Sequence, residues 1–435
     1  MTTLGIDIGS SSVKAGLLRG TDVVGKIVRR ALPTDYTAGR AEVKPDDLLT
    51  AVAGAVADLG SRVKRADAVG LSVMSPSWVA MDARGRALTP IVTHQDRRSV
   101  AEAHEIERRV GRAWHLRVAG LRPFPGGVAS TTLAWFVKHE PRRLERADLA
   151  GNLNTFLHRA MTAARVTDPS NASFTGLYET IRLGGWSDVL IDAAGANRAW
   201  LPDVLEGDVI AGNVSREGAR RFNLPAGLPV MTGVIDGSAI MLLAGAGVGQ
   251  LVNSSGSTDV LALCTDRPRP HPQLLTRALG VGRRWLHVAT IAAAGSSLNW
   301  AKDQLFADLP KAKFWKLVEE MATKKGESPV TFDPYLAGER TSVDQRRAAF
   351  TGLTLSTTRQ DMLEAVIEAL ARASADRVPL LQSRGTKIRH NVFVSGGVQS
   401  GLADVLHRDW PGRWTFHAED EATLRGLGAL TPRPR

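Results

Sequence analysis

The sequence predicts a two-domain α/β protein assembled from two related halves. Its 435 residues exceed what one ordinary hydrophobic core organises. Short apolar runs that read as strands alternate with segments of helical periodicity along the whole length. A turn of small residues between two apolar runs also occurs twice, at Gly9-Ser10-Ser11-Ser12 and at Gly256-Ser257-Thr258. Such a recurrence points to a duplicated architecture.

Taken in order, Leu4-Gly5-Ile6-Asp7-Ile8-Gly9 and the apolar run from Val13 predict a hairpin with its tip at Gly9 to Ser12. Gly20-Thr21-Asp22-Val23-Val24-Gly25-Lys26 has the spacing of a phosphate-binding P-loop, but Ile27 stands where a metal-binding hydroxyl is required. Strand-like Val28 follows instead of a helix start, so that match is discarded. Leu48, Leu49, Val52, Val56 and Leu59 recur at helical spacing and predict a helix from Asp46. Residues 68–73 read as a strand, and residues 74–81 as a loop then a strand closed by the turn Asp82-Ala83-Arg84-Gly85. Ile91-Val92-Thr93 predicts a strand running into His94-Gln95-Asp96-Arg97-Arg98, with a helix over 99–110. Ser130 is expected to cap a helix through Trp135 to His139 that stops before Pro141. Asp168-Pro169-Ser170-Asn171-Ala172-Ser173 is dense in turn formers and predicts an ordered loop. A helix-like apolar segment follows Asp236, and Gly245-Ala246-Gly247-Val248-Gly249 ends it without the full spacing of a dinucleotide loop. A long helix over 360–378 ending near Pro379 and a last strand over 391–394, running into Ser395-Gly396-Gly397, complete the series.

Composition excludes several classes. Apolar content of 43% and charged content of 23% are those of a soluble globular protein. No run approaches the length of a membrane span, and Met1 leads straight into a strand pattern, so neither membrane insertion nor secretion is expected. The single cysteine, Cys264, can form no intrachain disulfide, and a small buried hydrophobe in a reducing cytoplasm is the expectation. The formal charge of +11 comes from Arg pairs dispersed over separate segments, with no aromatic interleaving. That pattern favours solvated faces and anionic small ligands over a nucleic-acid groove. The ten histidines show no spacing of a metal pair on one helix.

The chemistry concentrates around Thr232 to Asp259. Asp236 stands at the mouth of a helix-like segment, where a carboxylate can accept a proton from an attacking hydroxyl. The small-residue turn that follows lets backbone N–H groups approach phosphate oxygens. These parts suit phosphoryl transfer; the same residues also read as a helix with an acid in its first turn, followed by an ordinary hairpin. Near the N-terminus, Ser11, Ser12 and Lys14 offer hydroxyls and a cation, and Asp7 can hold Mg2+ through water. Asp96 and Arg98 sit at a strand end where donors and acceptors together suit a polyol; a charged helix start explains them equally. Gly396 and Gly397 allow a flat ring or a phosphate against the backbone, or simply a strand-to-helix turn.

Asp7-Ile8-Gly9-Ser10-Ser11-Ser12-Val13-Lys14, Gln95-Asp96-Arg97-Arg98, Asp168 to Ser173, Gly233-Val234-Ile235-Asp236, Gly256-Ser257-Thr258, Pro334-Tyr335-Leu336-Ala337-Gly338-Glu339-Arg340 and Ser395-Gly396-Gly397 occur in this order. With them the chain resembles, nearly end to end, the FGGY family of carbohydrate kinases in the actin and sugar kinase superfamily. The resemblance implies two ribonuclease-H-like domains, residues 1–245 and 246–435, with a central nucleotide and sugar cleft. It implies ATP- and Mg2+-dependent phosphorylation of a hydroxyl on a small sugar, either a ketose such as a pentulose or a polyol, by a cytoplasmic enzyme. Carried over position by position, Asp236 matches the general base and Asp7 the Mg2+ region. Ser11, Ser12 and Lys14 match the first phosphate loop, and Gly256, Ser257 and Thr258 the second. Gly396 and Gly397 match the adenosine-contacting turn, and Ser75, Asp96 and Arg98 lie on the sugar side.

The sequence departs from the family at the first sugar loop, where Ser75-Pro76 replaces the side chains usual for pentulose or glycerol, and at His94, where a Trp is common. The segment after Gly397 is compressed, with Trp410-Pro411-Gly412 in place of a longer helix and strand. Two alternatives follow. One is a sugar-acid kinase of the gluconate type, with Arg97 and Arg98 as carboxylate partners; the other is a non-catalytic sugar- or nucleotide-binding regulator on the same fold. No nucleic-acid or membrane partner is expected, and a homodimer is compatible with the sequence.

Overall fold

The computed structural model describes residues 1–323, 329–344, 346–396 and 401–435. The chain forms two compact units: one of Met1–Ala246, Asp266–Leu286 and Ala422–Arg435, the other of Gly247–Thr265 and His287–Glu421.

In the first unit the main sheet runs in the order Ile210–Asn213, Pro229–Met231, Ala68–Val73, Thr2–Ile8, Ser12–Arg19, Asp22–Ala31, and Val234–Ile235 also pairs with Ala68–Val73. Thr2–Ile8 and Ser12–Arg19 are antiparallel, whereas Ala68–Val73 lies parallel to Thr2–Ile8. The segment with P-loop-like spacing is the next hairpin: Arg19 faces Asp22 across a two-residue turn in which Gly20 has φ +55°, a conformation Gly adopts without strain. Alternation along Thr2–Ile8 sorts its side chains. Leu4, Ile6 and Ile8 join a core with Val52 and Val56 of helix Pro45–Asp58 and with Phe156 and Leu157 of helix Leu153–Thr162. Gly5 lies on the opposite face, against Leu424 and Leu427 of the C-terminal segment that returns to this unit.

In the second unit Asp259–Thr265, Leu251–Ser255, Asn391–Ser395 and Thr415–Glu419 are successive neighbours in the sheet. Leu251–Ser255 is antiparallel to Asp259–Thr265 and parallel to Asn391–Ser395. This is the local plan of the first unit repeated: a hairpin with a small-residue tip, whose first strand pairs in parallel with a strand from later in the chain. Helices Gly295–Leu305, Lys311–Ala322 and Arg359–Ala375 cover it around Phe306, Phe314, Val366 and Leu370. Thr358 and Asp361 close a capping box at the start of the last helix.

Three local expectations are corrected. Ser130 does not cap: helix Ala129–His139 starts one residue earlier, and the N–H groups of Ala129 and Ser130 donate to the carbonyls of Phe174 and Thr175 at 3.0 and 2.8 Å. A neighbouring backbone supplies the acceptors that a capping hydroxyl would provide. Asp168 to Ser173 is a short helix, Pro169–Ser173, because Asp168 accepts from the backbone N–H groups of Ser170 and Asn171. The long helix ends at Ala375, and Pro379 sits inside a separate helix, Arg377–Gln382, in the first turn where its missing N–H costs nothing. Among the described residues no helix is long and apolar enough to cross a membrane.

Two histidines in the first unit are fully buried. His158 Nε2 donates to the Thr232 carbonyl at 2.9 Å and His115 Nδ1 to that of Leu121 at 2.7 Å, while His158 Nδ1 and His115 Nε2 have no hydrogen-bond partner among the described residues. Burial pushes both down to about 4. A histidine with a depressed folded-state pKa contributes stability above its unfolded value, and loses it as pH falls toward the folded value. Between about pH 7 and about pH 5, wild type should therefore lose about 2 kcal/mol more unfolding free energy than His158→Gln, by urea titration at both pH values. Equal losses would show that His158 does not carry this linkage.

Candidate active site

Asp236 is delivered by a bend that only glycine permits. Gly233 has φ +78°, and a Cβ there would lie 2.3 Å from the Leu71 carbonyl oxygen. The bend is held from several sides: Thr232 N–H donates to Val209 O at 2.9 Å, Gly233 N–H to Gly207 O at 2.9 Å, and the His158 ring to Thr232 O. Val234 then pairs with Ser72 and Ile235 with Val73 in parallel register, and helix Asp236–Leu243 begins at once.

A buried polar network fixes the last residue before the helix. Ile235 N–H donates to Ser170 Oγ at 3.1 Å, and Ser170 Oγ donates to Asp168 Oδ1. Asp168 Oδ2 also accepts from Asn154 Nδ2 at 3.0 Å and Asn171 Nδ2 at 2.6 Å. Burial pushes the Asp168 carboxyl up to about 6, outweighing the donors that favour its charge. Asp236 itself is exposed, and its Oδ1 accepts the Gly237 N–H at 2.6 Å. Arg277, 3% exposed, packs under the same turn: Nη1 donates to Ser238 Oγ at 2.7 Å, and Nη2 lies 2.7 Å from where a Gly237 Cβ would be. The helix start and this guanidinium both favour negative charge at the position Asp236 occupies.

The sheet register brings Asp7 to the same place. Arg29 pairs with Lys14, Lys14 with Asp7, and Asp7 with Ser72, forming one row across four strands that continues to Val234. Burial, with a contribution from the Asp236 charge, pushes Asp7 up to about 6 against the opposing pull of Lys14, the Ser72 hydroxyl and Arg29. Burial chiefly, with Arg29, lowers Lys14, and Asp7 opposes that shift. Asp7 Oδ1 and the Ser75 hydroxyl are buried with no hydrogen-bond partner among the described residues. A buried carboxylate oxygen with unmet capacity is a hard oxygen ligand suited to Mg2+, which keeps most of its waters and needs few carboxylates.

The two small-residue turns differ in their supports. At the first, Ser11 is exposed and Ser12 partly so; Gly9 N–H donates to Ser12 O at 3.0 Å, and Leu32 N–H to Ser11 O at 2.9 Å. At the second, Ser255 pairs with Asp259 to close the tip. The carbonyls of Gly256 and Ser257 accept from the N–H groups of Gly295 and Ala294, each at 3.0 Å. Gly396 has φ +120°, and a Cβ would lie 2.0 Å from the Ser255 carbonyl, so glycine is required beside this hairpin. Gly397 lies outside the described residues.

Asp96 and Arg98 are brought together, but not as groups turned toward a ligand. Their side chains are 1% and 4% exposed. Arg98 donates to both oxygens of Asp96 and to Glu42 Oε1, and Asp96 Oδ2 also takes the Ala41 N–H at 2.8 Å. Arg97 Nη1 is spent on the carbonyls of His94, Asp96 and Pro125. Of the two readings of this cluster, partners for a ligand or a charged helix start, these engagements favour the second, since the groups that a polyol or a sugar acid would need already have partners within the fold. The cluster ties the strand end to the segment carrying Ala41 and Glu42, because its charges are already neutralised within the fold. Sequence reading missed Ser170, Arg277 and His158 as supports of Asp236. Asp168-Pro169-Ser170 carried a recognisable helix-capping signal, whereas Arg277 and His158 act across long sequence separations and left none.

A chain built this way, with two mixed α/β units each opening on a hairpin with a small-residue tip, has the fold of the sugar kinases. Residues 2–242 match the N-terminal domain and residues 251–402 the C-terminal domain of the FGGY family of carbohydrate kinases. The chain is 27% identical over 420 residues to a xylulose kinase of Escherichia coli (strain K12), covering 92% of this chain and 84% of that one. It is 25% identical over 426 residues to a glycerol kinase of Thermococcus kodakarensis, covering 93% and 83%. The crystal structure of xylulose kinase from Rhodospirillum rubrum shares the fold with a TM-score of 0.86 at 24% identity, over 99% of this chain and 88% of that one. The protein belongs to the FGGY family of carbohydrate kinases, and is an ATP-dependent enzyme that phosphorylates a sugar or polyol.

Ser170→Ala should strand the Ile235 N–H and cost about 1–3 kcal/mol in unfolding free energy. It should also lower kcat more than it raises the KM of either substrate, because the helix start that carries Asp236 loses its anchor. Steady-state kinetics with kcat unchanged would remove Ser170 from the support of this site.

Proposed function

We propose that Asp236 is the general base of the transfer and that the acceptor is a small ketose of the pentulose class. The observation that carries this reading is the contrast among the three acids. Asp7 and Asp168 are buried, whereas Asp236 stands exposed at a helix start, beside a buried guanidinium and within electrostatic reach of Asp7. Asp236 takes the proton of the acceptor hydroxyl as that oxygen forms its bond to the γ-phosphorus of ATP. The bond from that phosphorus to the bridging oxygen breaks, and ADP leaves. Lys14 and the hydroxyls of Ser11 and Ser12 hold phosphate oxygens on the first turn, and Gly256, Ser257 and Thr258 do so through backbone N–H groups on the second. Residues 1–245 then serve mainly the sugar and residues 246–435 mainly the nucleotide, with Gly396 beside adenosine.

Asp7 is the residue suited to hold Mg2+, through water. The ion, when bound, neutralises charge on the phosphates. The pentulose class is supported by the xylulose kinases among the relatives; identities of 27% and 25% to xylulose and glycerol kinases do not by themselves separate the two. Ser75, with its buried hydroxyl, is the sugar-side residue that replaces the usual pentulose contacts. A sugar-acid substrate has less support, since Arg97 and Arg98 are engaged within the fold. We place the reaction in the cytoplasm, where ATP is supplied.

A coupled ADP-release assay with Mg-ATP across pentuloses, hexuloses, polyols and aldonic acids tests the reading. Turnover should be greatest on a pentulose, and Asp236→Asn should reduce it by roughly 10² to 10⁴ with ATP binding retained by calorimetry. Normal turnover in Asp236→Asn would refute the assigned role, and preference for an aldonic acid would refute the assigned substrate.

A further inference from the structure

Behind the Gly256-Ser257-Thr258 turn lies a buried ion pair with no part in the chemistry described so far. Asp259, the first residue past the tip, is fully buried. Its Oδ1 accepts from Asn253 Nδ2 at 2.8 Å and Ser255 Oγ at 2.7 Å, both on the opposing strand. Its Oδ2 accepts from Arg377 Nη2 at 2.5 Å, and Arg377 is itself only 5% exposed. The support extends outward: Arg377 Nη2 donates to Ser374 Oγ at 2.7 Å, Trp410 Nε1 donates to the same oxygen at 2.9 Å, and His407 Nε2 meets Asn253 Oδ1 at 2.7 Å. The hairpin is thus held from behind by Arg377 and His407, with Ser374 and Trp410 backing the guanidinium.

The sign of the charge makes the arrangement more than a clamp. A carboxylate buried next to a turn that takes phosphate repels a ligand bearing several negative charges, and burial weakens the screening that would soften this. We propose that Arg377 is a positioning residue for ATP that acts through its charge: paired with Asp259, it cancels the negative charge that Asp259 would otherwise present behind the Gly256-Ser257-Thr258 turn. The inference rests on the reading of that turn as a phosphate site.

Charge cancellation and mere scaffolding predict opposite signs for one substitution. Asp259→Asn keeps the shape and leaves Arg377 positive, so ATP should bind as tightly as in wild type or more tightly. Arg377→Met leaves Asp259 uncompensated and should weaken ATP about tenfold or more, while the sugar KM at saturating ATP moves less than about twofold. The Asp259→Asn, Arg377→Met double variant should return ATP affinity to within about threefold of wild type. The measurement is calorimetric titration of the full chain with ATP, alongside melting curves. Should Arg377→Met fail to fold, Asp259→Asn alone still decides by its sign. Weakened ATP binding in Asp259→Asn, or a double variant no better than Arg377→Met, would overturn the proposal. Gly256→Val separates this from the underlying reading, since a Cβ there has nothing nearer than the Thr258 carbonyl at 4.0 Å and the fold should tolerate it. If Gly256→Val weakens ATP and the pair variants do not, the inference alone fails. If Gly256→Val changes nothing, the turn is not the phosphate site, and both fail.

Discussion

The parallel register of Ala68–Val73, between Thr2–Ile8 on one side and Val234–Ile235 on the other, is the constraint on which the first unit depends. It sets Asp7 opposite Ser72 and Ser72 opposite Val234, so that a helix beginning directly after Ile235 starts beside the row containing Asp7 and Lys14. A shift of one residue in Thr2–Ile8 would send Asp7 into the apolar face occupied by Leu4, Ile6 and Ile8, and one in Ala68–Val73 would turn Ser72 away from this row. The glycine bend at Gly233, the Ser170 hydrogen bond and the His158 contact all serve this register. They hold the strand Val234–Ile235, only two residues long, where its own pairing could not.

Three aspartates in this unit meet burial in three ways. Asp168 is surrounded by hydrogen-bond donors and acts as an internal cap. Asp7 is equally buried but retains an oxygen with unmet capacity, in the field of Lys14 and Asp236. Asp236 remains in solvent. An acid that must accept a proton from an arriving hydroxyl has to stay accessible, whereas a structural acid is better enclosed with its donors. The pair Asp96 and Arg98 belongs with Asp168: its charges are satisfied inside the fold, and its contribution is rigidity at a strand end.

The two hairpins show how a repeated plan is supported locally. Both place a small-residue tip at the end of an antiparallel pair and lay a later strand beside the first one. At the first tip, the Leu32 N–H holds the Ser11 carbonyl. At the second, the start of helix Gly295–Leu305 holds the tip carbonyls from one side, while Asp259 and Arg377 close the strands behind them. Loops that bind ligands work best when the scaffold beneath them is stiff.

The sequence by itself determined the class, the hairpins and the order of the parts. Turn residues and strand alternation act over a few positions, so Gly9 to Ser12, Gly256 to Thr258 and the helix from Asp236 were legible without neighbours. The roles of polar side chains were not legible in the same way. Asp96 and Arg98 look like ligand groups until Glu42 and the Ala41 N–H are seen to consume them. Ser130 looks like a cap until Phe174 and Thr175 supply the acceptors. Arg277, His158 and Arg377 carry no local signal, because their partners lie 39, 74 and 118 residues away. Whether a charged or polar group faces solvent, a ligand or another side chain depends on which distant segment packs against it. Only the tertiary structure decides that.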